Sequence, residues 1–372
     1  MVKQEIRVGI RGFTGKFGWR TLGHLLKCND MKVTVGVEAN SPRFKAFLKG
    51  ANSLADEQKS KLACAIPSTI VLETGKHDSV RKAVEQLRLL NRNLDIVPFC
   101  DFNPLKHCDV FLDLTRGAEQ NFEQRFPDFV AKRPLLVTID TGRHETVRGR
   151  LVVPPSFVEP ETDSSHENSK NIWRLGDCVT SAVNLLLSGV KEKLGNRLSD
   201  IRTTIFCLLD EKLPDIGLLP ERVHSLYFKP ADFVSETVKS DLRKIFGRDS
   251  IGSFKLVQMH GFDCYALSVD FQVLGEIISA ASIAEAISGR PHILNAKGMD
   301  STADVDLFLR PLHSHISNDL PPVIFFPDAI SVEKNNTGCI VSMGAAVRYL
   351  EISPRLVADG IRMVASEYMK NA

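Results

Sequence analysis

The sequence predicts an α/β protein: a parallel-sheet domain followed by an α+β domain with a mixed or antiparallel sheet. Three observations carry this. Strand-like and helix-like runs alternate through the first 155 residues, the pattern of a sheet covered by helices on both faces. The hydrophilic stretch Glu159–Lys170 (EPETDSSHENSK) then breaks the periodicity and reads as an exposed loop or linker. Beyond it, strands recur in series with few helices, which suggests α+β. A length of 372 residues suits two domains.

The first strand is Ile6–Ile10, followed by a glycine-punctuated turn. Leu22, Leu25 and Leu26 then fall at the i, i+3, i+4 spacing of an apolar helical face. Met31–Val37 (MKVTVGV) is a β-branched run and reads as a second buried strand, completing a βαβ unit. Short strands follow near Thr69–Leu72 and Asp95–Pro98, with a helix at Ser79–Leu90. Val110–Leu114 and Pro134–Ile139 are further strands, separated by a helix near Ala118–Val130. After the hydrophilic stretch come a helix at Val179–Leu194 and strands near Asp200–Leu209, Phe254–His260, Cys264–Val273, Val323–Phe326 and Ile340–Ala346. Leu274–Ser288 reads as one helix. The last helix, Pro354–Met369, carries Leu356, Val357, Ile361, Val364 and Ala365 on one face. These readings divide the chain at 1–155, 171–345 and 346–372.

With 47 Lys+Arg against 45 Asp+Glu, the net charge of +2 gives no case for a nucleic-acid or membrane-surface partner. No apolar run approaches a membrane span. The opening residues carry neither a secretory signal nor a transit peptide, so a cytoplasmic protein is expected. Eight scattered cysteines with no C-x-x-C pair read as buried thiols rather than a disulfide framework or zinc site. His313 and His315 read as solvated loop residues, and no metal is expected.

Two places carry chemistry. Gly9-Ile-Arg-Gly12-Phe-Thr-Gly15-Lys-Phe-Gly18 lies between a strand and a helix. Glycines let backbone approach a pyrophosphate, and the helix start supplies N–H donors and partial positive charge. The spacing is looser than G-x-G-x-x-G. Gly9, Gly12, Phe13, Thr14 and Gly15 are therefore candidates for holding a nucleotide. Glu38 ends the second strand, where dinucleotide-binding folds place the acid that bonds ribose hydroxyls, so NAD is favoured over NADP. Arg43 nearby would serve a phosphate instead. The second place is Cys178, at the start of a long apolar helix, where the helix end should lower the thiol pKa. Asp177 before it reads as the N-cap, and its charge opposes that effect.

These segments together resemble the glyceraldehyde-3-phosphate dehydrogenase superfamily, most closely its archaeal-type branch. The likeness is carried by the glycine turn, Met31–Phe47, Cys108–Thr115, the Cys178 segment, Asp300–Asp306 and Leu320–Ile330. The resemblance implies a Rossmann domain completed by the C-terminal helix, a catalytic domain whose sheet mediates contacts in a homo-oligomer (tetramer or dimer), and NAD or NADP as cofactor. It implies a small-molecule aldehyde, attacked by a Cys178 thiolate before hydride passes to nicotinamide. Thr115 and Arg116 occupy the family's turn after the strand ending at Leu114. The sequence departs from the family at several positions. Val179 stands where the family has Asn, and the expected arginine pair is Cys207 and Leu208. The His-His pair is missing, which leaves His224, out of register, as a weak candidate base. A catalytically silent dinucleotide-binding or scaffold homologue is therefore the alternative, and a reductase of an unphosphorylated or acyl-phosphate substrate a third reading. The turn alone is also similar to the coenzyme-A loop of succinyl-CoA ligase α-subunits, which nothing else in the chain supports.

Overall fold

The structure, a computed structural model, describes residues 5–39, 42–53, 62, 65–73, 77–90, 93–115, 125–138, 150–158, 171–208, 227–228, 233–259, 265–299 and 320–371. The chain forms two compact units. The first comprises Met1–Val152, Glu159–Leu175 and Pro354–Ala372; the second comprises Val153–Val158 and Gly176–Ser353.

The first unit opens with β1 (Ile6–Arg11), α1 (Lys16–Leu25), β2 (Met31–Ala39), α2 (Pro42–Asn52), β3 (Thr69–Glu73), α3 (His77–Leu90) and β4 (Asp95–Pro98). It continues with α4 (Pro104–His107), β5 (Val110–Asp113), α5 (Pro127–Lys132), β6 (Leu135–Thr138) and β7 (Arg150–Val153). After β8 (Ser156–Val158), which falls in the second unit, the first unit resumes with β9 (Ile172–Leu175). The strands run in the order β4-β3-β2-β1-β5-β6-β9-β7, and every registered pair in that series is parallel. The order reverses between β1 and β5, which makes this a Rossmann-like sheet with its crevice at the carboxyl ends of those two strands.

Period-2 alternation explains why the sheet is buried on both faces. Val8, Ile10, Ile70, Leu72, Leu112 and Leu136 fall on one face with Leu22 and Leu25 of α1. Val35, Val37, Val71, Phe111, Leu135 and Val137 fall on the other, with Phe99, Phe102 and Phe129. The last helix, α9 (Tyr349–Asn371), supplies Val357, Ile361 and Val364 to the first face, each fully buried. Burying such a side chain contributes about 1.5–3 kcal/mol. Leu26, expected on the buried face of α1, is 47% exposed because the helix stops at Leu25 and Leu26 is its cap.

The second unit contains α6 (Cys178–Leu194), β10 (Leu198–Leu208), β11 (Tyr227–Phe228), α7 (Phe233–Phe246), β12 (Ile251–Met259) and β13 (Tyr265–Leu274). It adds α8 (Ala280–Ile287), β14 (Ile293–Asn295), β15 (Val323–Asn335) and β16 (Gly338–Val347). Its sheet has the order β11-β12-β10-β13-β16-β15-β14 and is mixed: β10 and β12 run parallel, whereas β10, β13, β16 and β15 are antiparallel in succession. The sequence reading Leu274–Ser288 as one helix is corrected. Leu274 still belongs to β13, Gly275 turns the chain at φ +72°, and Ser279 caps a shorter helix by accepting from the Ser282 N–H at 3.2 Å. Helix α6 is buried from Thr180 to Val190. A Cβ on Gly189 would lie 2.0 Å from the Ala286 carbonyl oxygen, so only glycine lets α6 and α8 approach this closely. Among the described residues, no helix is long and apolar enough to cross a membrane.

Candidate functional site

In the first unit the glycine turn follows β1 at the reversal of strand order. Gly12 adopts φ +80°, a region costly for other residues. Its N–H donates to the Val37 carbonyl at 3.0 Å, which ties the turn to β2. A Cβ on Gly12 would meet Thr115 Cγ2 at 2.8 Å, so the turn and the segment after β5 are close neighbours. A Cβ on Gly18 would lie 2.1 Å from the Gly12 carbonyl oxygen and 2.7 Å from Phe13 Cα. Helix α1 thus packs directly on the turn. Gly9 has a core reason instead: its Cβ would strike the Phe111 ring at 2.6 Å. Gly15 is the N-cap of α1, with extended backbone and no side-chain cap; no acid occupies the first helical turn.

The other predicted cofactor residues of this unit divide. Phe13 is fully buried, its ring under Gly36 and 6.4 Å from the Phe47 ring, so any part it takes in binding is through backbone. The Thr14 N–H donates to Glu38 Oε1 at 2.6 Å. Glu38 is only 5% exposed, so its carboxylate pins the turn from β2. Burial raises its pKa to about 7; Glu73 adds to the rise, and the Thr14 hydrogen bonds and Arg11 oppose it. Thr115 donates from its N–H (2.9 Å) and its hydroxyl (2.7 Å) to Asp113 Oδ1. The side chain of Arg43, and Arg116, lie outside what is described.

Sequence reasoning passed over a charged cluster at this end of the sheet. Arg11 Nε lies 2.6 Å from Glu73 Oε1, its Nη2 bonds Glu73 Oε2 at 3.0 Å, and its Nη1 bonds Asp113 Oδ2 at 3.1 Å. One guanidinium therefore bridges the carboxyl ends of β1, β3 and β5. Burial raises the Asp113 pKa against the pull of Arg11, and the two carboxylates hold Arg11 protonated despite its burial. The available signal was positional: each of the three residues closes its strand.

In the second unit Cys178 is the first residue of α6, with Asp177 as N-cap. Asp177 Oδ1 accepts from the N–H groups of Val179 (2.7 Å) and Thr180 (2.8 Å), and Oδ2 from the Thr180 hydroxyl (3.1 Å). The expectation of an activated thiolate is corrected here. Burial first, and then the Asp177 carboxylate, push the Cys178 thiol up to about 12. The helix end that should stabilise a thiolate is already neutralised by Asp177. That carboxylate is itself raised by burial and by the buried Asp241. Tyr265, from the start of β13 and 4% exposed, donates its hydroxyl to the Cys178 carbonyl at 3.0 Å. No motif singled it out. Asn184, one helical turn and more beyond Cys178, is fully buried and donates to the Val153 carbonyl at 2.8 Å. Ser181 serves the helix start by donating to the Gly176 carbonyl. Cys207 and Leu208 lie on β10. His224, His313 and His315 lie outside the described residues. Among the described residues no cluster of three His, Cys, Asp or Glu is arranged to hold a metal.

No family model and no curated protein matches the sequence. Solved structures do match in three dimensions. An aspartate semialdehyde dehydrogenase with NADP from Candida albicans aligns at TM-score 0.59 and 13% identity, over 99% of both chains. Aspartate semialdehyde dehydrogenase II complexed with ASA from Vibrio cholerae aligns at TM-score 0.57 and 13% identity, also over 99% of both. At such identity these likenesses show the fold alone: a Rossmann-like parallel sheet with helices, together with a mixed-sheet unit. They carry the fold and not the archaeal-type branch.

Proposed function

We propose that this chain is a nicotinamide-dinucleotide-dependent oxidoreductase of the aldehyde dehydrogenase kind. The observation that carries the proposal is the uncapped start of α1 behind the glycine turn, placed where the strand order reverses. The residues present fit a pyrophosphate: Gly12 and Gly15 leave backbone uncovered, Gly18 lets the helix close on it, and no acid faces it from the first turn. Gly12, Thr14, Gly15 and Thr115 would hold the dinucleotide, and the remaining lone pairs of the Glu38 carboxylate would accept from a ribose hydroxyl. We infer NAD rather than NADP, because a 2′-phosphate beside Glu38 would be repelled. A bound nicotinamide supplies a hydride acceptor.

Cys178 is the nucleophile of this reading, its thiolate sulfur bonding to the carbonyl carbon of an aldehyde as the C=O π pair moves to the oxygen, giving a thiohemiacetal. Both structural neighbours bear the name aspartate semialdehyde dehydrogenase, which supports an aldehyde as substrate. Cys207 and Leu208 in place of an arginine pair favour an aldehyde without a phosphate over glyceraldehyde 3-phosphate. We also propose a homo-oligomer, dimer or tetramer, which light scattering would establish.

The raised Cys178 thiol favours a second reading, a protein that binds the dinucleotide without turning over. One experiment separates the two. Titration with NADH or NADPH should raise the melting temperature, and aldehyde, phosphate and NAD should then generate reduced-nicotinamide absorbance that Cys178→Ser abolishes. A melting shift with no turnover across phosphorylated and unphosphorylated aldehydes would leave the second reading, and no shift would remove both.

A further inference from the structure

Glu73 closes β3 and takes no part in the reading above, yet it holds a guanidinium at the carboxyl edge of the first sheet. We propose that Glu73 determines dinucleotide specificity: it fills the outward edge of Arg11, which would otherwise pair with a 2′-phosphate and admit NADP. The inference rests on the dinucleotide site proposed above and is independent of any turnover at Cys178.

The strand register supplies the geometry. Strands β3, β2, β1 and β5 lie side by side in that order, with Arg11 opposite Val37 of β2 and Asp113 of β5. Glu73 stands opposite Ala39, the residue after Glu38. To meet Glu73, the Arg11 side chain must therefore cross β2 at its carboxyl end, between the levels of Val37 and Ala39. Alternation puts Glu38 on the α1 face with Ile10 and Leu72, and puts Arg11 and Glu73 on the opposite face with Val37 and Val71. The end of β2, where a ribose hydroxyl would bond Glu38, is thus flanked by that acid on one face and by the Arg11–Glu73 pair on the other.

The two partners of Arg11 are not equivalent. Asp113 is fully buried and accepts from Thr115 as well as from Nη1. Glu73 is 15% exposed and takes Nε and Nη2, so the edge it covers is the one nearer solvent. Two adjacent guanidinium N–H groups form the fork that binds a phosphate bidentately. With Glu73 present, a 2′-phosphate at this end meets a filled fork and two carboxylates. With Glu73 removed, it meets the fork, while Asp113 still anchors the arginine from below.

The test is fluorescence titration of the intact chain with NADH and with NADPH, comparing wild type with Glu73→Ala. The ratio of NADPH to NADH affinity should rise at least about tenfold, the weight of one hydrogen bond to a charged group. Adding Arg11→Met to Glu73→Ala should take the gain away. A role of the pair in stability alone would weaken both nucleotides equally, and that result overturns the proposal. So does an unmoved ratio, or a gain that survives Arg11→Met. Should Glu73→Ala not fold, Glu73→Gln keeps the volume without the charge and should move the ratio in the same direction by about threefold; no movement overturns the inference. If wild type and variant bind neither nucleotide, this inference and the dinucleotide site fall together. NADH binding with an unmoved ratio sinks this inference alone, whereas a moved ratio without aldehyde turnover sinks the proposed activity alone.

Discussion

The molecule has two helix starts of candidate importance, and they are built in opposite ways. Helix α1 begins at a glycine with no side-chain cap and no acid in its first turn, while α6 begins at a buried aspartate that takes two of its N–H groups. The partial positive charge of a helix end is a resource that one anion can use. At α1 it remains for a ligand's pyrophosphate. At α6 a carboxylate within the chain has it, and the adjacent sulfur is left with the burial and the repulsion. A helix start is therefore no evidence for a reactive cysteine until its cap is known.

Substitutions that alter either end sharpen this contrast, beginning with the largest. Gly18→Val drives a side chain into the Gly12 carbonyl and the Phe13 backbone. It should destabilise the first unit by about 3 kcal/mol in denaturant unfolding and abolish dinucleotide binding. Asp177→Ala removes the cap of α6 and should cost about 1–2 kcal/mol. The same change takes away the charge beside the sulfur, so labelling of Cys178 by iodoacetamide should speed up about tenfold; a slower rate would mean that the cap activates the thiol.

Titration gives a third comparison, between wild type and Glu38→Gln. Folding raises the Glu38 pKa from its ordinary 4.5 to about 7, so the native state binds the proton more tightly than the unfolded chain. The stability this confers is fully present below about pH 4.5 and is lost as pH rises through about 7. The wild type should lose about 1–3 kcal/mol relative to Glu38→Gln across that window, measured by unfolding at a series of pH values. Parallel curves would contradict the assignment. The smallest stability change is expected from Gly15→Asp, which gives α1 a cap like that of α6. Its Cβ meets nothing nearer than 3.4 Å. Stability should rise by a few tenths of a kcal/mol, about the margin of Asp over Gly at an N-cap, while NADH affinity falls at least about tenfold through repulsion of the pyrophosphate. Unchanged affinity would show that the dinucleotide does not use this helix end.

Much of the first unit was legible because its signals are local and repeated. The β-branched run from Met31 and the strand at Val110 declare themselves, and the glycines mark the turn between a strand and a helix. Strands β7 and β9 passed unread, since each is only four residues long and Arg174 interrupts the second; tertiary pairing makes them strands. The candidate site was legible in its backbone and not in its side chains. Spacing pointed to Gly12, Gly15 and Cys178, but it cannot reveal that Glu38 turns inward to Thr14 or that Phe13 fills the core. Tyr265 stands 87 residues from Cys178, and Arg11 stands 62 from Glu73. Such pairings exist only once strands far apart in the chain lie side by side.

The closing helix carries a consequence for the birth of the protein. Val357, Ile361 and Val364 seal a sheet whose strands leave the ribosome hundreds of residues earlier. The first unit must therefore wait, with an oily flank uncovered, until the chain has been made past Val364. Truncation just before Val357 should leave it sticky and chaperone-bound even though every described strand has been made.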